Sequence, residues 1–412
     1  MALFDDASLV VTPNGYKAGT LYSIKPTSGA GDMTVVRATT ATRVNSAGLI
    51  ESVANNVPRL DYSNGTCPSI LVEPQRTNLL QYSEQFNNAY WELGSVASVT
   101  ANTTISPDGT QNADTLTANG AGSLFVRYNV FLGTAQTCSN SVYAKKNNNR
   151  YVGLRNSGTI SAHDVFDFDT KTWTNNSGAV LSYDELPNGW FRLKSVNTDA
   201  VNLNYYWSVI PAVSTAGAEN TTASNLNVYI WGAQAEQNAS YPTSYIPTTS
   251  AAVTRNGDAI YKTGISALIG QTEGTLFLYA DIQKHNESDF YIAISNGASL
   301  GDAIYLYQPS SGNIQILTRK TGNGDGTITI AAANWTAGLN KVAIAYTATT
   351  IEVFINGVSK GSTTFTALPT LSQLTIGSRP DVVGTLVGTG IYSEAVVFPT
   401  RLTNSECISL TT

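Results

Sequence analysis

The sequence predicts an all-β protein: two antiparallel jelly-roll β-sandwiches in tandem after a short extended N-terminal segment. Three observations carry this. Short runs alternating large apolar with polar residues recur along most of the 412 residues, the period-two pattern of strands with one buried face. Turn signals separate them, among them Ser106-Pro107-Asp108-Gly109, Asn119-Gly120 and Pro187-Asn188-Gly189, as in an antiparallel sandwich. Only 13% of residues are charged against 42% hydrophobic, with 34 Gly and 21 Tyr, which suits many strands joined by tight turns and no long helix.

Residues 1–75 hold brief apolar patches, Ser8-Leu9-Val10-Val11 and Thr20-Leu21-Tyr22-Ser23-Ile24, without a long periodic stretch. Such a piece needs neighbours to satisfy its backbone groups. It is expected to fold against partners, copies of itself or the next domain. Residues 76–256 carry two-faced runs: 123–131, 138–145, 190–196, 205–210 and 226–231. Each needs a second sheet to cover it. Tyr241-Pro242-Thr243-Ser244-Tyr245-Ile246-Pro247-Thr248-Thr249 reads as an extended connector, because proline removes a ladder donor. Residues 257–412 form the second sandwich, with runs at 274–281, 290–294, 303–307, 313–317, 327–330, 341–346 and 351–355. Asn356-Gly357 then marks a two-residue hairpin turn, and the tail after Leu402 holds one helical turn capped by Thr403 or Asn404.

Several function classes are disfavoured. A net charge of −6, with no basic run longer than Lys145-Lys146, gives no electrostatic footprint for nucleic acid. No apolar run of about 18 residues appears, so no membrane insertion is expected, and the start lacks the pattern of a cleaved secretion signal. Cys67, Cys138 and Cys407 are odd in number and far apart, which reads as packed or idle thiols in a reducing cytosol. With only two histidines, His163 and His285, zinc and Ser-His-Asp chemistry have little to work with. His163-Asp164 lacks a Gly-x-Ser-x-Gly elbow and reads as a histidine on a surface strand. No paired carboxylates at glycosidase spacing appear in the C-terminal domain, where Glu352 stands alone on its strand. No catalytic residue is assigned.

Sugar binding needs aromatic faces with amide or carboxylate partners. The candidates are Trp173, Tyr183, Tyr205, Tyr206 and Trp207 in the central domain and Tyr291, Tyr305, Tyr307 and Trp335 in the C-terminal one, while Trp190 and Trp231 read as packed. No cofactor is required. Calcium is the one open option, with Asn323 and Asp325 in Asn323-Gly324-Asp325-Gly326 and Asp302 and Asp381 as remote ligands; the same tetrapeptide is equally a plain turn. Asp167-Phe168-Asp169 is similarly ambiguous.

The residues assembled so far resemble a modular family of tailed-bacteriophage virion proteins. The likeness lies in Arg37-Ala38-Thr39-Thr40-Ala41-Thr42-Arg43-Val44-Asn45, Gly48-Leu49-Ile50-Glu51, Pro58-Arg59-Leu60-Asp61-Tyr62, and Leu71-Val72-Glu73-Pro74-Gln75-Arg76-Thr77-Asn78-Leu79-Leu80 running into Tyr82-Ser83-Glu84-Gln85-Phe86 and Trp91. Val228–Glu236 and Thr243–Thr248 are similar to the close of carbohydrate-binding-module-like jelly rolls in such proteins. Asn340–Tyr346, Ile351–Gly357, Leu374–Gly377 and Phe398–Glu406 follow the order of the laminin-G-like, concanavalin A-like fold. The resemblance implies a head or tail fibre or decoration protein, assembled in the host cytoplasm and located on the virion. It implies a homotrimer that joins other virion proteins through residues 1–75 and displays lectin-like domains to cell-surface or mucus polysaccharide. On that reading residues 76–412 fold without the lead-in. A glycan hydrolase or depolymerase and a purely structural decoration protein are the alternatives.

Overall fold

A computed structural model describes residues 3–131, 134, 136–158, 161–199, 204–283, 287–322, 325–382, 384 and 387–412. It is all-β, and the chain divides into two units, residues 1–46, 52–75 and 256–412 in one and residues 47–51 and 76–255 in the other. The second unit is therefore inserted into the chain of the first.

The first unit is a two-layer sandwich. One sheet runs Val358–Thr364, Thr350–Ile355, Gly338–Tyr346, Gly274–Ile282, Gly390–Phe398, Ser69–Val72, Arg59–Asp61, with Leu9–Val11 also paired to Gly390–Phe398. The other runs Gly326–Ile330, Ile314–Arg319, Ala303–Gln308, Asp289–Ser295, Gln373–Ile376, Ala259–Thr263, Thr34–Val36. Inward residues such as Leu276, Leu278, Ile292, Ile304, Ile316, Ile344 and Ile376 fill the space between them. Alternation along each strand makes this possible, since every second side chain faces the opposite sheet. The back of the first sheet is closed by the helix Asn404–Thr411, whose Cys407 and Leu410 pack on Phe277, Ala343 and Phe398. Thr403 caps that helix in a reciprocal box with Glu406, as the tail sequence predicts. The hairpin turn also forms, with Asn356 and Gly357 at φ of 49° and 79°.

The structure corrects the reading of residues 1–75. They are not a separate extended lead-in, because Leu9–Val11, Thr34–Val36, Arg59–Asp61 and Ser69–Val72 are strands of the C-terminal sandwich. Buried charge fastens them there. Arg37 and Arg59 are fully buried, and Arg37 Nη1 donates to Asp258 Oδ1 at 2.9 Å. Arg59 Nη1 donates to Glu73 Oε2 at 2.7 Å, and its Nη2 contacts Asp258. Burial opposes the charge on Arg59, but Asp258 and Glu73 outweigh it and hold the guanidinium above its ordinary pKa.

The second unit is also a sandwich. One sheet runs Glu92–Leu93, Val126–Phe131, Asn204–Pro211, Tyr151–Ser157, Asp164–Asp167, Thr172–Thr174; the other runs Ala97–Thr104, Ala113–Ser123, Asn220–Gln237, Gln136–Lys146, Trp190–Asp199, Val180–Glu185. The run 123–131 is split, Ser123 ending one strand and Val126 beginning another in the opposite sheet. Trp207, Val209, Leu154, Phe166, Val142, Leu193 and Ile230 lie between the sheets.

The segment 241–249 is not a free connector. Thr243, Tyr245, Ile246 and Thr248 are buried. Its prolines forbid a full ladder, and side chains take over the backbone groups. Glu236 Oε2 accepts from Thr243 N at 2.9 Å, Gln234 Oε1 accepts from Ile246 N at 2.7 Å, and Asn78 Nδ2 donates to Ile246 O at 2.9 Å. Tyr245 packs with Tyr143, Trp190 and Trp231, so Trp190 and Trp231 are packed residues as the sequence predicts. Among the described residues no helix is long and apolar enough to cross a membrane.

Candidate functional site

Most of the aromatic candidates are structural. Tyr205, Trp207, Tyr291 and Trp335 belong to the inner cores. The Tyr205 hydroxyl donates to Asn140 at 3.2 Å, Tyr291 to Gln308 at 2.6 Å, and Trp335 Nε1 to Gly312 O at 3.1 Å. Trp173 and Tyr183 are half-buried against Phe166, at 5.3 and 5.0 Å between ring centroids. Tyr206 points off its sheet beneath the guanidinium groups of Arg127 and Arg155, 4.7 and 4.8 Å from its centroid. None of these presents a free aromatic face.

Tyr305 and Tyr307 remain, and the structure brings them together on the outer face of the seven-stranded sheet. Alternation sends Ile304 and Leu306 into the core and Tyr305 and Tyr307 outward. The register then builds two rows, Tyr305 beside Leu317 beside Thr327, and Tyr307 beside Gln315 beside Thr329. Phe290 joins the rings, 5.1 Å from Tyr305 and 4.8 Å from Tyr307. Phe290 and Tyr305 are each 2% exposed and form the floor. Tyr307 and Gln315 are half-buried, and Thr327 and Thr329 are exposed. One partly exposed ring, one partly exposed amide and two exposed hydroxyls therefore stand at adjacent positions on that face. Burial pushes the Tyr305 hydroxyl up to about 12, so it is neutral at physiological pH. Sequence reasoning missed Phe290, Gln315 and Thr329. Their signal was present in the alternation of each strand, but only the register places them beside Tyr307.

The calcium candidates lie around the same face without forming a cage. Asp325 pairs with Arg319 at 3.1 Å, and Asp381 accepts two bonds from Arg379 at 2.7 and 2.9 Å. Asp302 accepts from the backbone and hydroxyl of Thr321 at 3.1 and 2.9 Å. The arginine of each pair satisfies the carboxylate and depresses its availability to a cation. Asn323 and His285 lie outside the described residues. Among the described residues no group of three or more His, Cys, Asp or Glu side chains could hold a metal ion.

His163 is not on the surface: it is fully buried, with Nε2 2.9 Å from Ser208 Oγ. Asp164 does not serve it, since it accepts from Asn176 N, Ser177 N and Ser177 Oγ. Asp167 closes the turn after its strand and takes Arg150 at 2.6 Å, a structural role for Asp167-Phe168-Asp169. Cys138 and Cys407 are buried free thiols, and Cys67 is an exposed one.

Residues 257–407 match the concanavalin A-like lectin/glucanases superfamily. The face built on Tyr307 lies within the matched residues. No curated protein matches the chain. Among solved structures, the chain is similar to the CBM40 of the Ruminococcus gnavus IT-sialidase bound to α2,3-sialyllactose, at 18% identity over 36% of this chain and 91% of that one, with a TM-score of 0.31. It is similar to the NanB sialidase of Streptococcus pneumoniae at 18% identity over 36% of this chain and 25% of that one, TM-score 0.31. A heptameric SAP-like pentraxin of Limulus polyphemus follows at 13% identity, 34% and 70% coverage, and a TM-score of 0.27. Likenesses at this level assign no function.

Proposed function

We propose that this chain is a non-enzymatic, glycan-binding structural protein of a tailed-phage virion, and that the Tyr307 face is its sugar contact. One observation carries the binding reading: Tyr307, Gln315 and Thr329 stand in register on the outer face of a sandwich matched to the concanavalin A-like lectin/glucanases superfamily. An aromatic ring takes the apolar side of a pyranose, and amide and hydroxyl groups take its hydroxyls. Binding without cleavage is favoured because Glu352 is occupied by Arg401 at 3.0 Å and by Ser359 and Asn404.

The virion part of the proposal rests on the sequence likeness of residues 37–91. Attachment to neighbouring virion proteins, in a homotrimer, falls to exposed apolar side chains of the first residues, Phe4, Tyr22, Ile24 and Val36. A glycan array of the purified chain and its Tyr307→Ala variant tests the contact. Retention of a glycan by the wild type, lost by at least tenfold in the variant, is expected; retention unchanged in the variant removes the face from consideration, and released oligosaccharide replaces the adhesin with a hydrolase. Immunogold labelling of particles at the C-terminus tests the location, and unlabelled virions refute it.

A further inference from the structure

A cluster of arginine and glutamate side chains lies on the inserted unit. Register places Arg127 and Arg155 on either side of Ser208 in neighbouring strands. Glu219 bridges them, Oε1 accepting from Arg127 Nη1 at 2.8 Å and Oε2 from Arg155 Nη1 at 2.7 Å. Arg155 and Glu219 are buried, with side chains 6% and 9% exposed. Arg127 is further held by the rings of Phe125 and Tyr206, at 3.9 and 4.7 Å. Its guanidinium is thus fixed from behind and from the sides.

What remains is its outer edge, Nε and Nη2. Glu92 takes that edge with both carboxylate oxygens, at 2.9 Å to Nε and 2.7 Å to Nη2. Two parallel bonds from a planar fork to a planar carboxylate are the strongest form of such a pair. Yet Glu92 stands on a two-residue edge strand, Glu92–Leu93, and its side chain is 56% exposed. An ion pair that open to water is worth only about 0.2–1 kcal/mol. The guanidinium is rigidly placed and its cap is weakly held.

We infer that Glu92 is a stand-in and that Arg127 is the seat for a carboxylate which displaces it, that of an acidic sugar on the glycan-binding reading proposed above, on which this identification of the ligand rests. The charges favour a single carboxylate. Arg127 and Arg155 balance Glu219 and Glu92, and release of Glu92 leaves one positive charge facing solvent. The planar, two-point geometry favours carboxylate over a lone hydroxyl, and the preset guanidinium loses little freedom on binding.

The test uses the full chain and two probes that differ only at C6, methyl β-D-glucuronide and methyl β-D-glucoside, in titration calorimetry at low salt. Glu92→Gln removes the competing charge at an exposed position, and a thermal scan checks its fold. It is expected to bind the glucuronide about 1.5- to 5-fold more tightly than the wild type, the range set by the strength of the displaced pair. Titrated in a Tyr307→Ala background, which removes any contribution from the other face, the glucoside gives no heat with either protein. Adding Arg127→Gln to Glu92→Gln abolishes the glucuronide signal, whereas Tyr307→Ala leaves it intact and so separates this seat from the other face. Equal response to both probes, or none to the glucuronide in Glu92→Gln, overturns the inference and leaves the cluster as an internal brace of the sheet.

Discussion

Arg37 donates a 2.9 Å hydrogen bond to Asp258, a partner 221 positions later in the chain. Both are sealed from solvent, with Arg37 at 0% and Asp258 at 2% exposure. Asp258 also takes Arg59 and the backbone N–H of Glu73. One carboxylate thus serves two buried guanidiniums and a main-chain donor. Removing one member of such a set leaves uncompensated buried charge, which costs about 3–5 kcal/mol. Asp258→Ala is therefore expected to lower the unfolding free energy of the first unit by that amount, read as an earlier urea transition, while the inserted unit keeps its own. Deleting residues 1–75 is expected to leave residues 257–412 unfolded, with no cooperative transition by circular dichroism. A folded truncated sandwich would contradict the role given to these arginines.

Excising the inserted unit is expected to do less harm than trimming the start. Glu73 O accepts from Asp258 N at 3.0 Å, and Gln75 Oε1 takes Asn256 Nδ2 at 3.3 Å. The cut ends already lie within hydrogen-bonding distance of each other. A few Gly and Ser residues in place of residues 76–255, with a short polar turn in place of residues 47–51, which belong to the same unit, close two short loops, and loop entropy grows only slowly with length. The joined chain is expected to give a dispersed NMR spectrum and a single unfolding transition; a collapsed spectrum would show that the inserted unit is needed for folding.

The inserted unit carries its own acid sensitivity. Burial, aided by the charge of Arg155, pushes His163 down to about 3. Below its ordinary value of about 6.5 the unfolded chain takes a proton that the folded chain refuses. Stability from this residue is full above pH 6.5 and drains as pH falls toward 3, at up to about 1.4 kcal/mol per pH unit. Asp114 acts the other way: burial raises it to about 6, so its penalty is relieved as pH falls from 6 to 4. Between pH 6 and 4 the two contributions offset each other, and the loss from His163 stands uncompensated below about pH 4. Relative to the wild type, His163→Gln is expected to raise the urea midpoint as pH falls from 6 to 4 and to lessen the fall below pH 4; parallel profiles would assign acid sensitivity to another group.

Glu236 accepts from Thr243 N at 2.9 Å, Ser139 Oγ at 3.1 Å and Gln234 Nε2 at 3.0 Å, all buried. Glu236→Ala leaves Thr243 N and Ser139 Oγ unmatched, each at a cost of about 1–3 kcal/mol, while Gln234 Nε2 keeps Thr243 O at 3.2 Å. The segment 241–249 is expected to lift first, making the bonds near Ser240 and Ser250 the earliest cuts in limited proteolysis. Unchanged cleavage would mean that Tyr245 and its aromatic neighbours suffice to hold it.

The strands were largely legible because alternation is a local property. The helix cap at Thr403 and the turn at Asn356-Gly357 were legible for the same reason. What escaped was long-range pairing: nothing local in Leu9–Val11 states that its partner is Ala395–Val397. Residues 241–249 were misread because two prolines signal an absent ladder but not the Gln234, Glu236 and Asn78 side chains that replace it. At the site, Tyr205, Trp207 and Tyr291 resemble Tyr307 in sequence and differ only in which way their strand turns them. The stretches that resemble phage virion proteins, Arg37, Arg59, Glu73, Asn78 and Glu236 among them, are in large part the fastenings of the two sandwiches.

Leu9 lies opposite Val397 in antiparallel register, so a pull applied at those two residues loads that strand pair directly. Because residues 47–51 belong to the inserted unit as well, the chain passes between the units at four points, after residues 46, 51, 75 and 255, and a load arriving through a ligand on that unit is shared among them.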